Sequence, residues 1–205
     1  MRRRTVGLLW LPAVLALAAT PARAHDAFGN AGAFWGGFLH PLTALEHMLA
    51  IVAFGLLAGL QPLRPAFAAL LTFALALAAG GIAGMTGWTL PDLGFVTAGS
   101  IAVIALLVAL ARPLPPALLI ALALLLGLLH GLANGAAVPA GFDRIAFLLG
   151  MVAGPALVAH LLIGGVRRLE APWTRVAVRV LGSWLAAVGL LVLGRFVLTP
   201  SAIAG

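Results

Sequence analysis

The chain has 205 residues, 63% of them hydrophobic and 8% charged, with mean hydropathy +1.18. Soluble domains carry roughly a quarter charged residues, so a soluble globular fold is excluded and an integral membrane protein is predicted. Twelve arginines against five acids give a formal charge of +7, which in a bilayer protein reflects loop topology rather than a nucleic-acid surface. The absence of Cys removes disulfides, thiolate metal sites and cysteine nucleophiles, leaving only nitrogen and oxygen as metal ligands.

The chain opens "MRRRTVGLLWLPAVLALAATPARAHDAF": a tri-arginine start, an apolar run, then Ala22-Arg23-Ala24 in the small-x-small pattern of a signal peptidase site. Residues 1–24 are therefore predicted to be a cleaved signal peptide, with His25 starting the mature chain on the outer side. Beyond residue 30, apolar segments of spanning length, roughly 20 residues each, alternate with short breaks rich in Pro, Gly and Arg. Six spans are expected, near 41–60, 66–86, 94–111, 116–134, 145–165 and 178–198. The breaks are too short to hold separate domains, so residues 25–205 read as one all-α polytopic helical bundle.

With residue 25 outside, the first span runs inward and the others alternate. The inner loops then hold Arg64, Arg112, Arg167, Arg168, Arg175 and Arg179, and the outer positions only Arg144 and Arg195 with Asp92 and Asp143. This agrees with the bias of basic residues toward the cytoplasm and predicts a multi-pass protein of the bacterial inner membrane. Gly pairs four apart (Gly55/Gly59, Gly80/Gly84, Gly127/Gly131, Gly131/Gly135, Gly150/Gly154) predict close helix approach in a compact bundle. Trp35, Trp88 and Trp173 fall near span ends, where headgroups accommodate an indole.

Ionisable groups inside a span are costly and are site candidates by default. In "FLHPLTALEHMLA", Pro41 suits the first turn of a helix, with His40 at the outer mouth and Glu46 and His47 roughly 8 to 10 Å deeper. In a continuous helix His40 and His47 lie about 10 Å apart along the axis, too far to share one ion unless the chain bends near Pro41. The fourth span ends "GLLHGLANGAAVP" and puts His130 and Asn134 on one face, at a depth near Glu46 and His47. His160, on the fifth span, is expected closer to the cytoplasm. His160, His130 and Asn134 taken singly also read as interhelical hydrogen bonders. Together, His40, Glu46, His47 and His130 at similar depth point to a cation site. Imidazole and carboxylate without sulfur suit divalent Ni, Zn, Co or Cu(II).

"HPLTALEH" fits His-x5-Asp/Glu-His, and "LHGLANGAAVP" resembles His-Gly-x-Ala-His-Gly-x-Glu; these are the two signatures of the HupE/UreJ family of nickel permeases. The resemblance extends over the whole chain, including the signal peptide, the helix count and the late histidine His160. It implies a mature six-helix bundle, a role in supplying nickel to hydrogenase or urease maturation, and His40, Glu46, His47 and His130 as ligand-like motif residues. Glu46 stands where the family usually has Asp, Asn134 where it has a second His, and Ala137 and Gly94 where it has Glu; Ser100 fits.

The leading expectation is a permease, not an enzyme, that passes a divalent metal from periplasm to cytoplasm, capturing it at His40, coordinating it at Glu46, His47, His130 and Asn134, and releasing it past His160. The expected cargo is Ni(II), with Co(II) and Zn(II) as alternatives, and the protein carries no cofactor of its own. The expected partners are the metal ion and the lipid bilayer, with a homo-oligomer and a functional link to hydrogenase or urease maturation admitted and nucleic acid set aside. The alternative is a non-transporting membrane accessory protein of metalloenzyme maturation, favoured by the lost ligands. An intramembrane enzyme or haem protein ranks last, because no H-E-x-x-H and no nucleophile turn are present.

Overall fold

The computed structural model describes residues 32–198, so the expected signal peptide and cleavage site lie outside the described residues. All of the regular structure described is helical: α1 (Gly32–Thr43), α2 (Leu45–Gly59), α3 (Leu63–Met85), α4 (Leu93–Leu110), α5 (Pro116–Ala136), α6 (Arg144–Arg167) and α7 (Pro172–Leu198). Five of these are long and apolar enough to cross a bilayer, and α1 with α2 makes a sixth span if the bent pair is counted as one.

The first span differs from its sequence reading. The helix does not start at Pro41; α1 starts at Gly32, carries Pro41 near its end, and meets α2 at a 77° bend. Two local causes combine. Pro41 has no N–H to offer the carbonyl one turn back, and the Thr43 hydroxyl bonds back to the carbonyls of Leu39 (3.0 Å) and His40 (3.2 Å), an arrangement that bends helices. The chain then opens at Ala44, whose backbone is extended, before α2 begins.

The glycine pairs sit where helices touch. A Cβ on Gly127, Gly131 or Gly135 would strike the α3 backbone, and one on Gly80 or Gly84 the α5 backbone, so α3 and α5 pack main chain against main chain. Gly150 and Gly154 do the same for α6 against the Phe34 and Phe38 backbone of α1, and Gly55 and Gly59 bring α2 onto Leu162 and Val166 of α6. α7 lies along α4, with Gly182 and Gly189 at the crossing points. The core between these layers is apolar, centred on the stacked rings of Phe54 and Phe73 (4.6 Å between centroids) with Leu57, Leu77, Ile101 and Leu119. Lipid-facing positions such as Leu71, Leu161, Trp184 and Leu191 are exposed, as expected of spans whose outer surface meets hydrocarbon.

Alternation of the helices sorts the charges. The loops carrying Arg64, Arg112, Arg167, Arg168 and Arg175 gather at one end and are tied together by Gln61, which accepts from the Leu114 N–H (2.9 Å), donates to the Arg112 carbonyl (3.3 Å) and offers its own carbonyl to Arg167 (2.9 Å). Arg144 and Arg195 lie at the opposite end, where Arg144 reaches the Met85 carbonyl. The grouping matches the loop assignment read from the sequence, and the chain is a multi-pass membrane protein.

Candidate metal site

The bend between α1 and α2 places the imidazoles. His40 lies in the last turn of α1 and His47 in the first turn of α2, and with the axis turned their ring centroids come to 6.3 Å, against the roughly 10 Å of axial rise that separates two such residues in a straight helix. The His40 ring also lies 6.2 Å from the Phe147 ring of α6, so aromatic packing backs it on one side. His130 reaches the same place from α5: its Nδ1 is 2.8 Å from the Nδ1 of His47, across a sequence separation of 83 residues. The glycine seam that fixes α5 against α3 passes directly beside it at Gly127 and Gly131, so His130 stands on a rigid support.

The hydrogen bonds around His130 define a donor order. The Ser100 hydroxyl of α4 donates to the Thr97 carbonyl at 2.7 Å, so at 3.0 Å its oxygen accepts from Nε2–H of His130. A neutral His130 then has its lone pair on Nδ1, which accepts from Nδ1–H of His47. The end of the chain is His47, whose remaining lone pair is on Nε2. Three helices, α2, α4 and α5, thus contribute to one line of polar groups in an otherwise apolar core. His130 is 3% exposed and could not be left unpartnered there without a large desolvation cost.

Asn134 lies one turn further along α5 and is fully buried. Its amide N–H donates to the His130 carbonyl at 2.6 Å, while Oδ1 is buried without a hydrogen-bond partner among the described residues. Because the His130 carbonyl can only accept, the amide cannot be turned to relieve this, and a buried acceptor is left facing its surroundings unmatched.

Glu46 and His160 do not join this group. The Glu46 carboxylate is 2.9 Å from Arg195 near the end of α7, the single ion pair among the described residues, and it bridges the first turn of α2 to the last turn of α7. His160 is exposed on α6, with its ring 5.8 Å from that of Phe67 on α3. Among the described residues no three of His, Asp and Glu converge so as to hold a metal ion. The sequence shows neither the Arg195 partnership, 149 residues away, nor the Gln61 clasp, although a lone amide between Gly59 and two prolines is a visible oddity. At Gly94 a side chain would run into the Phe196 ring of α7, so this chain fills with an aromatic group the space a longer residue would take.

Comparison with known proteins fits these observations. A family model described as HupE / UreJ protein matches residues 13–192. The chain belongs to the HupE/UreJ family. Protein HupE of Rhizobium leguminosarum bv. viciae is 28% identical over 180 residues, spanning 87% of this chain and 94% of the relative. No solved structure matches. The family match covers every helix that carries a polar residue of the site, and the paired histidines fall on the two motifs by which the sequence resembles the family.

Proposed function

We propose that this HupE/UreJ protein is a permease of the bacterial inner membrane that admits a divalent transition metal, Ni(II) foremost, toward the cytoplasm through the His47–His130 pair, and so serves metalloenzyme maturation. The observation that carries this reading is the meeting of two imidazoles from different helices at 2.8 Å, His130 buried and His47 half-buried, with a third ring, His40, 6.3 Å from that of His47. Nitrogen donors of this kind suit Ni, Co and Zn.

In this account the cation is substrate, and the geometry suggests how it is handled. Metal–nitrogen bonds of about 2.0–2.1 Å put two ligating nitrogens about 3.3 Å apart at the tetrahedral angle of Zn(II) and about 2.9 Å apart at the right angle of square-planar or octahedral Ni(II). An ion taken by both Nδ1 atoms would therefore replace their hydrogen bond, part the rings by at most about half an ångström and send the shared proton to the free Nε2 of His47, which stays a neutral imidazole. The unmatched Oδ1 of Asn134, one turn along α5 from His130, is a buried oxygen acceptor of the sort a cation lacks in hydrocarbon. Few ligands make a weak site, and weak occupancy suits conduction because the ion must also leave.

The test is uptake of radioactive nickel into proteoliposomes. Wild type should load the vesicles, His47→Ala and His130→Ala should fall to the background of empty vesicles, and His160→Ala should retain uptake. Full uptake by both His47→Ala and His130→Ala would exclude the pair as the route.

A second reading is a membrane accessory protein that does not transport. It is favoured by one feature: Glu46, the carboxylate in the first motif, is held by Arg195 rather than by the imidazoles. Wild-type vesicles that never exceed background, while the protein still binds nickel, would select it.

A further inference from the structure

At the arginine-rich end of the bundle a cavity of about 410 Å³ opens where α2, α4 and α6 end and α7 begins. This is a volume typical of small-ligand sites, about 300–1,000 Å³. Its wall includes Arg167 and Arg175, the Gln61 clasp, and the apolar side chains of Leu60, Val166 and Val178. Three helix C-termini and three N-termini meet at this end, so their partial charges offset, and two arginines satisfy carbonyls there: Arg167 binds that of Gln61 at 2.9 Å and Arg179 that of Ala109 at 3.0 Å. Arg175 has no hydrogen bond or ion pair among the described residues, and Glu170, the one acid on these loops, pairs with none of the arginines.

A forked guanidinium facing a cavity without a carboxylate is a ready partner for phosphate oxygens. The cavity also lies where headgroups lie: it is at the ends of the spans, and Trp173, 71% exposed at the start of α7, stands at the same level. We infer that this cavity binds the phosphate of an anionic phospholipid, held between Arg167 and Arg175, with the glycerol and first acyl carbons against Leu60, Val166 and Val178. Inorganic phosphate offers the same oxygens, but it lacks the apolar portion that this half of the wall would cover. Bound lipid would brace the ends of α2, α4 and α6 at the face opposite His47.

The full chain in detergent is titrated with short-chain phosphatidylglycerol, short-chain phosphatidylcholine and inorganic phosphate, with bound ligand counted by native mass spectrometry. The expected order is phosphatidylglycerol well above phosphatidylcholine, with millimolar phosphate failing to displace the lipid. Arg167→Gln/Arg175→Gln should weaken phosphatidylglycerol binding at least about tenfold. Arg64→Gln/Arg168→Gln removes the same charge outside the cavity and should change binding by no more than about twofold. Equal loss in the two pairs would overturn the site in favour of a diffuse basic surface, and full competition by phosphate would overturn the lipid in favour of the free anion. Wild-type protein provides a check that does not depend on variant folding: a photoactivatable phosphatidylglycerol should crosslink within residues 59–62 and 166–178, and labelling spread evenly over the basic loops would refute the assignment.

Discussion

The α3–α5 pair and the α1–α2 pair solve opposite problems with neighbouring parts of the same bundle. α3 and α5 are straight spans sealed main chain to main chain by Gly80, Gly84, Gly127, Gly131 and Gly135, with no room for side chains between them. α1 and α2 are a pair bent by 77° at Ala44, and the residues flanking the break include His40, Glu46 and His47. The sealed pair holds His130 still, and the broken pair brings His47 to it. In a bilayer, where apolar burial does not drive helices together, a polar contact between spans needs one partner on a tight seam and another on a segment whose backbone can be redirected.

Several substitutions would break or sharpen this contrast. The largest effect is expected in the seam: Gly131→Ala places a Cβ against the Leu77 carbonyl, and overpacking of this kind should cost about 3 kcal/mol or more of stability. Gly164→Ala, on an open face of α6, should be neutral or stabilising by up to about 1 kcal/mol, with thermal unfolding of both variants as the measurement. Next comes the relay into the site. Ser100→Ala removes the acceptor for His130 Nε2–H, and loss of such an orienting partner should weaken nickel binding by about tenfold with little change in helix content, measured by calorimetric titration and circular dichroism. Pro41→Ala restores the missing N–H and should straighten the break, lengthening the His40–His47 separation toward about 10 Å; spin labels at the exposed position 35 and at position 52 would report the change in angle. The smallest effect is expected at Glu46→Gln, which loses a partly exposed ion pair and should alter stability by about 0.2–1 kcal/mol, diminishing as salt is raised.

Most of the bundle was legible in the sequence, because hydropathy, loop charge and small-residue spacing are local signals that the membrane enforces. The α3, α4 and α5 boundaries fall within three residues of the hydropathy reading at each end. The start of the first span departs from the sequence expectation because Pro41, whose usual place is a first turn, here follows nine residues of α1. Within the site, His47 and His130 could be paired from depth alone, since rise per residue and alternation fix the height of each. Azimuth could not. Glu46 is a sequence neighbour of His47, yet about 100° around the helix it faces α7 and Arg195, and no spacing rule within one helix reveals which neighbour lies there. His160 illustrates the same limit: its depth was readable, but its exposure to the lipid-facing side beside Phe67 depended on how α6 rolls against α3.

The central claim is that His47 and His130 act as one unit, and a double-mutant cycle on nickel affinity tests it most directly. With affinity measured for wild type, His47→Gln, His130→Gln and the double variant, the pair geometry predicts that the double variant binds no more weakly than the worse single one, because either change already dissolves the shared site. Losses that simply multiply, or either single variant binding as well as wild type, would contradict it.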